Sequence, residues 1–301
     1  MRGLLLLLTM MMAGCSLAPV AHRSADVPEA ISGLEDVRFS PVNIRQGVWS
    51  PGEFARDALG GIFFVDPPVA GRTVVLFIHG INGSPRDFRF LIAHLDRRRF
   101  QPCVFFYASG SSLGRIGRDL SEAIGELHRR HEITSLVIVG HSIGGLIARD
   151  MMLNQSAHAG VDIPVLITMS SPWGGIPSAG IGVRFSPVVI DSWRDIAADS
   201  AYLNSLFVDA SGEKRELPGS IRHYLLFSYR KSWSSFGLSG DAVTSVASQL
   251  FRTAQEQAYR VYGFDVSHAE ILRNSGVADV LDAALRSMPM PMPMQTAEVA
   301  P

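Results

Sequence analysis

Ser142 is the residue whose neighbours prepare it most clearly for chemistry. It is the centre of Gly140-His141-Ser142-Ile143-Gly144. In a G-x-S-x-G pattern of this kind a strand turns sharply into a helix and lifts the central hydroxyl, exposed, above the end of a sheet. The flanks fit that geometry: Ser135 to Val139 is a short apolar run rich in Val and Ile, and a helical pattern starts straight after the turn. The glycines have a steric reason, because backbone passes so close on either side that a Cβ would collide. With 28 glycines in 301 residues the pattern can arise by chance, and Gly110-Ser111-Ser112-Leu113-Gly114 is a rival. There, four residues from Ala108 to Ser111 separate Ser112 from the strand-like Val104 to Tyr107, and Gly114 and Gly117 weaken the helical start. Ser112 is therefore assigned to a loop.

A serine hydroxyl is a poor nucleophile until a base takes its proton and an acid orients that base. The turn at Ser142 resembles that of the α/β-hydrolases, and the resemblance implies that the acid and then the histidine follow the nucleophile in the chain. His268, in Phe264-Asp265-Val266-Ser267-His268, is the only histidine after His223, and His223 lies in a strand-like run. Asp241, in Gly240-Asp241-Ala242-Val243-Thr244, follows that run after a loop rich in Ser and Gly. Asp265 stands too near His268 in sequence to occupy a separate loop. Asp195, Asp199 and Asp209 fall in a segment where solvation or helix capping accounts for them. The oxyanion formed in acyl transfer needs preorganised donors. The Ile143 N–H, at a helix N-terminus, supplies one, and the Ile81 N–H, in His79-Gly80-Ile81, supplies the other. His79 and His141 are read as positional. No histidine pair has metal-binding spacing, and neither a metal nor a cofactor is expected.

These residues need a scaffold of alternating strands and helices. Thr73 to Ile78 is a continuous apolar, β-branched run and the best buried strand, with Ser84-Pro85 as a helix start and a helix to about Asp96. Gln101 to Tyr107, Ile163 to Met169 and Ile221 to Tyr229 read as further strands. Ile116 to His131 reads as an amphipathic helix and Val277 to Leu285 as a closing one. Between Asp36 and Pro68, short stretches such as Gly61 to Val65 suggest edge strands and an antiparallel start to the sheet. The alternation predicts an α/β fold, a mostly parallel sheet with helices on both faces. Trp173 to Leu217 breaks the rhythm, with no strong strand. It is either a cap over the active edge or a surface excursion whose helices pack on the body.

Taken in order, His79-Gly80-Ile81-Asn82-Gly83, Gly140-His141-Ser142-Ile143-Gly144-Gly145, Ser170-Ser171-Pro172-Trp173-Gly174-Gly175, Gly240-Asp241 and Ser267-His268 resemble the motifs of α/β-hydrolase lipases and esterases. The likeness is nearest to the branch of bacterial lipases and the lipase-like deacylases of glycolipid anchors, and it runs from about Thr73 to Leu285. Ser170-Ser171-Pro172-Trp173 departs from the Thr-Pro-His-x-Gly form common in lipases, which bears on pocket shape. The resemblance implies an α/β-hydrolase fold and a serine ester hydrolase that acts on acyl esters, hydrophobic or lipid ones above all. Acyl transfer by the same residues, or a catalytically silent envelope protein that binds through the fold, are the alternatives.

The ends of the chain point to export. Arg2 and the apolar Leu4 to Ala13 form a signal segment too short to span a bilayer, ending in Met12-Ala13-Gly14-Cys15. This resembles a bacterial lipoprotein signal, with Met12 where Leu is usual, and implies a lipid on Cys15 and a place in the cell envelope. Cys103, the second of two cysteines, would then have no disulfide partner. The expected organisation is a signal over residues 1–14, a tether over 15–35, a catalytic domain over 36–287 with its excursion at about 173–217, and a Met-Pro tail over 288–301 that can form neither helix nor sheet. A net charge of -1 provides no basic footprint, which argues against nucleic acid as a partner. An acyl ester or lipid and a membrane surface are the partners expected.

Overall fold

The computed structural model describes residues 33–154, 160–230 and 240–288. Cys15, the signal segment and all but Met288 of the Met-Pro tail lie outside them. The described chain begins with two helices, α1 (Pro41–Trp49) and α2 (Pro51–Arg56), where edge strands were expected. Each starts at a Ser-Pro pair. Ser40 and Ser50 occupy the N-cap positions and the prolines take the first turn, where their fixed φ suits a helix and their missing N–H is not needed. Only β1 (Gly61–Phe64) is a strand in that region, and it lies antiparallel to β3 (Phe100–Phe106) at one edge of the sheet.

The seven strands are ordered β1-β3-β2-β4-β5-β6-β7, with β2 (Thr73–Ile78), β4 (Ser135–His141), β5 (Asp162–Met169), β6 (Arg222–Ser228) and β7 (Arg260–Phe264). Every pairing from β3 to β7 is parallel. Strands buried on both faces carry unbroken apolar runs, and alternate residues feed opposite layers. Leu76, Ile78, Leu136 and Ile138 pack on one face with α4 (Leu113–His131) and α5 (Ile143–Asn154). Val75, Phe77, Val137 and Val139 pack on the other with α3 (Arg89–Ala93) and α11 (Ser275–Arg286).

Several boundaries differ from those read in the sequence. The helix expected from Ser84 to Asp96 is a 3-10 turn, Pro85–Phe88, followed by the short α3. Helix α4 starts three residues earlier than expected, and Ser112 is its N-cap, with Gly114 and Gly117 inside the helix. Gly117 fits there because a Cβ would meet the Asp150 carboxylate on α5 at 2.4 Å. Strand β7 was not anticipated: its residues are almost all exposed, so no apolar run marks it.

The stretch from Trp173 to Leu217 holds three short helices, α6 (Pro177–Phe185), α7 (Asp191–Ile196) and α8 (Ala201–Ser205). They pack on the α4–α5 layer through Ile176, Ala179, Ile196, Leu203 and Leu206. A buried guanidinium ties this excursion down. Arg149 on α5 donates to the Leu206 carbonyl at 2.9 Å, the Arg215 carbonyl at 3.0 Å and Gln257 Oε1 at 2.6 Å, and lies over the Phe207 ring. Helices α9 (Val246–Gln249) and α10 (Arg252–Glu256) then lead into β7.

Candidate active site

Ser142 stands between the last residue of β4 and the first of α5, with no slack on either side. Its backbone has φ +54°, a region that non-glycine residues rarely enter. Close packing holds it there. A Cβ at Gly144 would lie 2.2 Å from the Ile78 carbonyl oxygen, and one at Gly140 would lie 2.7 Å from the Gly144 carbonyl carbon. The Ser142 N–H donates to the Met169 carbonyl at 2.8 Å, fixing the turn to the end of β5. Ser112 has φ -62° at an ordinary helix cap, and although Gly110 is packed against the Val48 carbonyl, the serine itself is not forced into a positive φ.

The loop after β2 reaches the same place, because Ile78 pairs with Gly140 in parallel register. A Cβ on Gly80 would be 3.0 Å from Ser142 Cβ, so the His79-Gly80-Ile81 backbone passes directly against the serine. Backbone bonds around the two expected donors are made by their neighbours. Asn82 N–H donates to Ser109 Oγ at 3.1 Å, Gly83 N–H to the Gly80 carbonyl at 3.1 Å and Gly145 N–H to the Ser142 carbonyl at 3.1 Å. Tyr107 stacks on the His79 ring at 4.2 Å and its hydroxyl donates to the His79 carbonyl at 2.5 Å. Ile81 follows Gly80 in the loop packed against Ser142, and Ile143 follows Ser142 as the first residue of α5.

Asp241 and His268 meet at the same sheet edge. The two sit in the loops beyond β6 and β7, and His268 Nδ1 lies 2.7 Å from Asp241 Oδ2. Their backbones are joined too, His268 N–H donating to the Asp241 carbonyl at 3.1 Å. An ionised carboxylate accepts only, so Nδ1 carries the proton and Nε2 is the basic nitrogen. His141, next to Ser142 in the chain, bonds through Nε2 to the His268 carbonyl at 2.9 Å, with the two rings 4.8 Å apart. The candidate base is thereby bonded to the residue adjoining the candidate nucleophile.

Residues 69–213 match the family model for the PGAP1-like alpha/beta domain, a match that includes Ser142 and ends before Asp241 and His268. No curated protein sequence matches the chain. Among solved structures, the mature form of the Bacillus licheniformis lipase BlEst2 superposes with a TM-score of 0.60 at 15% identity, over 74% of this chain and 97% of that one. Aspergillus fumigatus lipase B gives a TM-score of 0.56 at 14% identity, over 88% of this chain and 63% of its own. The lin2722 product of Listeria innocua gives 0.55 at 13% identity, over 72% and 95%. Likeness at such identities is one of fold. The chain has the α/β-hydrolase fold.

Within the hydrolase fold, four non-glycine residues with positive φ mark strand-end loops at this edge: Asn82, Ser142, Ser170 and Ala242. Strain gathered at one edge is typical of a site whose surroundings over-determine it. Asp241 is fully buried, and burial alone would raise its pKa. The net direction is downward, through the hydrogen bond and charge of His268 and the donors Ser228 and Thr244. Both carboxylate oxygens are occupied: Oδ1 accepts from the Val243 and Thr244 N–H groups at 3.1 and 2.7 Å, and Oδ2 accepts from Ser228 Oγ at 2.6 Å and Gln249 Nε2 at 3.2 Å besides His268. Ser109, Ser228 and Gln249 carry no local sequence signal. Their partners are 27, 13 and 8 residues away, and only the folded chain reveals them.

Three histidines around the site are kept neutral by burial, His79 with a pKa of about 4 and His141 and His223 with about 3. Unfolded, each titrates near 6.5, so below that pH the unfolded chain takes up protons that the folded chain refuses. Asp150, raised by burial to about 6, acts in the opposite sense, because the folded state binds its proton first. Asp87 and Asp195, raised by burial to a lesser degree, act in the same sense as Asp150. The three histidines outweigh them and leave a net loss of stability on acidification, on the order of 3 kcal/mol between pH 7 and 5. The urea midpoint should fall accordingly. A midpoint that holds or rises over that interval would contradict the buried neutral histidines.

Proposed function

We propose that the protein is a serine ester hydrolase in which Ser142 Oγ attacks an acyl carbonyl. His268 takes the serine proton through Nε2 and returns it to the leaving alcohol. Asp241 holds the imidazole with Nδ1 protonated and balances the charge that develops on it. The Ile81 and Ile143 N–H groups receive the oxyanion, the latter at a helix N-terminus whose dipole favours negative charge. The ester C–O bond breaks, the alcohol leaves with the proton, and Ser142 carries the acyl group. Water, deprotonated by His268, then attacks the acyl-enzyme, the bond from Ser142 Oγ to the acyl carbon breaks, and His268 returns the proton to Ser142 as the acid leaves.

The observation that carries this reading is the convergence at one sheet edge. A strained serine, a glycine loop packed against it and a buried Asp241–His268 pair bonded to His141 come from four separate strand ends. Hydrophobic acyl esters, lipids included, are the substrate class favoured by the likeness to proteins named as lipases. The lipoprotein-type signal adds a place: Cys15 carries lipid and tethers the enzyme to a membrane of the bacterial envelope.

Turnover of p-nitrophenyl esters from acetate to palmitate tests the reaction. The wild type should hydrolyse the series with a preference for medium or long chains. Ser142→Ala and His268→Ala should lose on the order of 10³-fold or more, and Asp241→Asn about 10²- to 10⁴-fold. Full activity in Ser142→Ala would remove the reading. For the anchor, Cys15→Ser should move the protein from the membrane to the soluble fraction, and undiminished membrane retention would rule out lipidation at that residue.

A further inference from the structure

The hydrogen bonds beneath the acid extend further than a nucleophile, base and acid require. Asp241 Oδ2 accepts three donors, of which only His268 faces the reaction. Ser228, the last residue of β6, is fully buried and places its Oγ 2.6 Å from Oδ2. Behind it, Ser170 Oγ lies 2.5 Å from Ser228 Oγ. Each hydroxyl has one proton and the carboxylate has none to give. Ser228 therefore donates to Asp241, and Ser170 donates to Ser228. Gln249, also fully buried, grips the same corner. Its Oε1 accepts the Ser228 N–H at 2.9 Å, which fixes the amide so that Nε2 faces Asp241 Oδ2, the Ser228 carbonyl at 3.0 Å and the Thr244 carbonyl at 3.3 Å.

We propose that Ser228 and Gln249 are positioning residues that hold the Asp241 carboxylate in register with His268, with Ser170 ordering the Ser228 hydroxyl. One amide thus fastens the end of β6, the loop carrying the acid and the first turn after it into a unit. The donors also share the carboxylate's charge, so they set how strongly it pulls on the imidazolium. Removing one leaves the charge concentrated toward His268 and the carboxylate freer to rotate. The inference rests on the reading of Asp241 and His268 as acid and base.

The rate of inactivation of the full-length chain by a fluorophosphonate, measured from pH 5 to 9, reports the base directly and needs no known substrate. Ser228→Ala and Gln249→Met should each lower the plateau rate by about 10- to 100-fold, the loss expected from one charge-assisted hydrogen bond. They should also move the apparent pKa of the base upward by about half a unit or more. Ser228→Cys, which keeps a weaker donor and nearly the same shape, should fall between Ser228→Ala and the wild type if the alanine variant folds poorly. Among the described residues, the other ionisable groups near His268 are His141 from the β4–α5 turn and, at the rim, Asp265 and Glu270, both paired with Arg230. None is altered in these variants. Folded variants with an unchanged pKa would overturn the proposal, whatever their rate. Asp241→Asn, run in parallel, separates the two claims. A fast Asp241→Asn would sink the acid assignment itself, whereas a slow Asp241→Asn beside unaltered Ser228 and Gln249 variants would sink only the positioning role.

Discussion

The arrangement depends on a steric constraint where β4 turns into α5. The helix starts so close to the end of β2 that Gly144 has the Ile78 carbonyl where its side chain would be. That contact forces the chain through Ser142 at φ +54° and presents the serine at the sheet edge. The same proximity makes β2 the neighbour of β4 and delivers the Gly80 loop against Ser142 without further device. Ser142 and the Gly80 loop are therefore set by one packing event. The bonds from Ser142 to Met169 and from Ser170 to Leu226 carry the register onward to β5 and β6.

Electrostatics at the other end of the site follow from burial. A carboxylate with no solvent contact would be protonated unless its lone pairs were filled, and Asp241 has five donors on its two oxygens. It can therefore stay charged beside a histidine without water. The histidines around it need the reverse treatment. His141, kept neutral by burial, binds the His268 carbonyl without adding a positive charge next to the His268 ring. A fixed negative charge and neutral neighbours are what the general-base role proposed for His268 requires.

Much of this was legible in the chain, for reasons that can be named. Strands β2, β4 and β5 are buried on both faces and so read as unbroken apolar runs, and the residues between β4 and α5 announce their own turn. Strand β7 did not show because Arg260 to Gly263 face solvent at the sheet edge, where selection for apolar residues is weak. Helices α1 and α2 were readable from Ser40-Pro41 and Ser50-Pro51, but the apolar cluster after them, Ile62 to Val65, drew the region toward strand. Ser228, Gln249, Ser109 and Tyr107 could not be read at all. A hydroxyl or amide gains its meaning from a partner brought across the fold, and no spacing rule encodes that.

Ser142 Oγ is the atom proposed to take the acyl group. A fluorophosphonate reacts with an activated serine hydroxyl and leaves a covalent adduct that peptide mass mapping can place. The full-length chain should gain one adduct, on the peptide containing Ser142, with Ser112→Ala labelled as the wild type and Ser142→Ala unlabelled. An adduct on another serine, or labelling that survives Ser142→Ala, would contradict it.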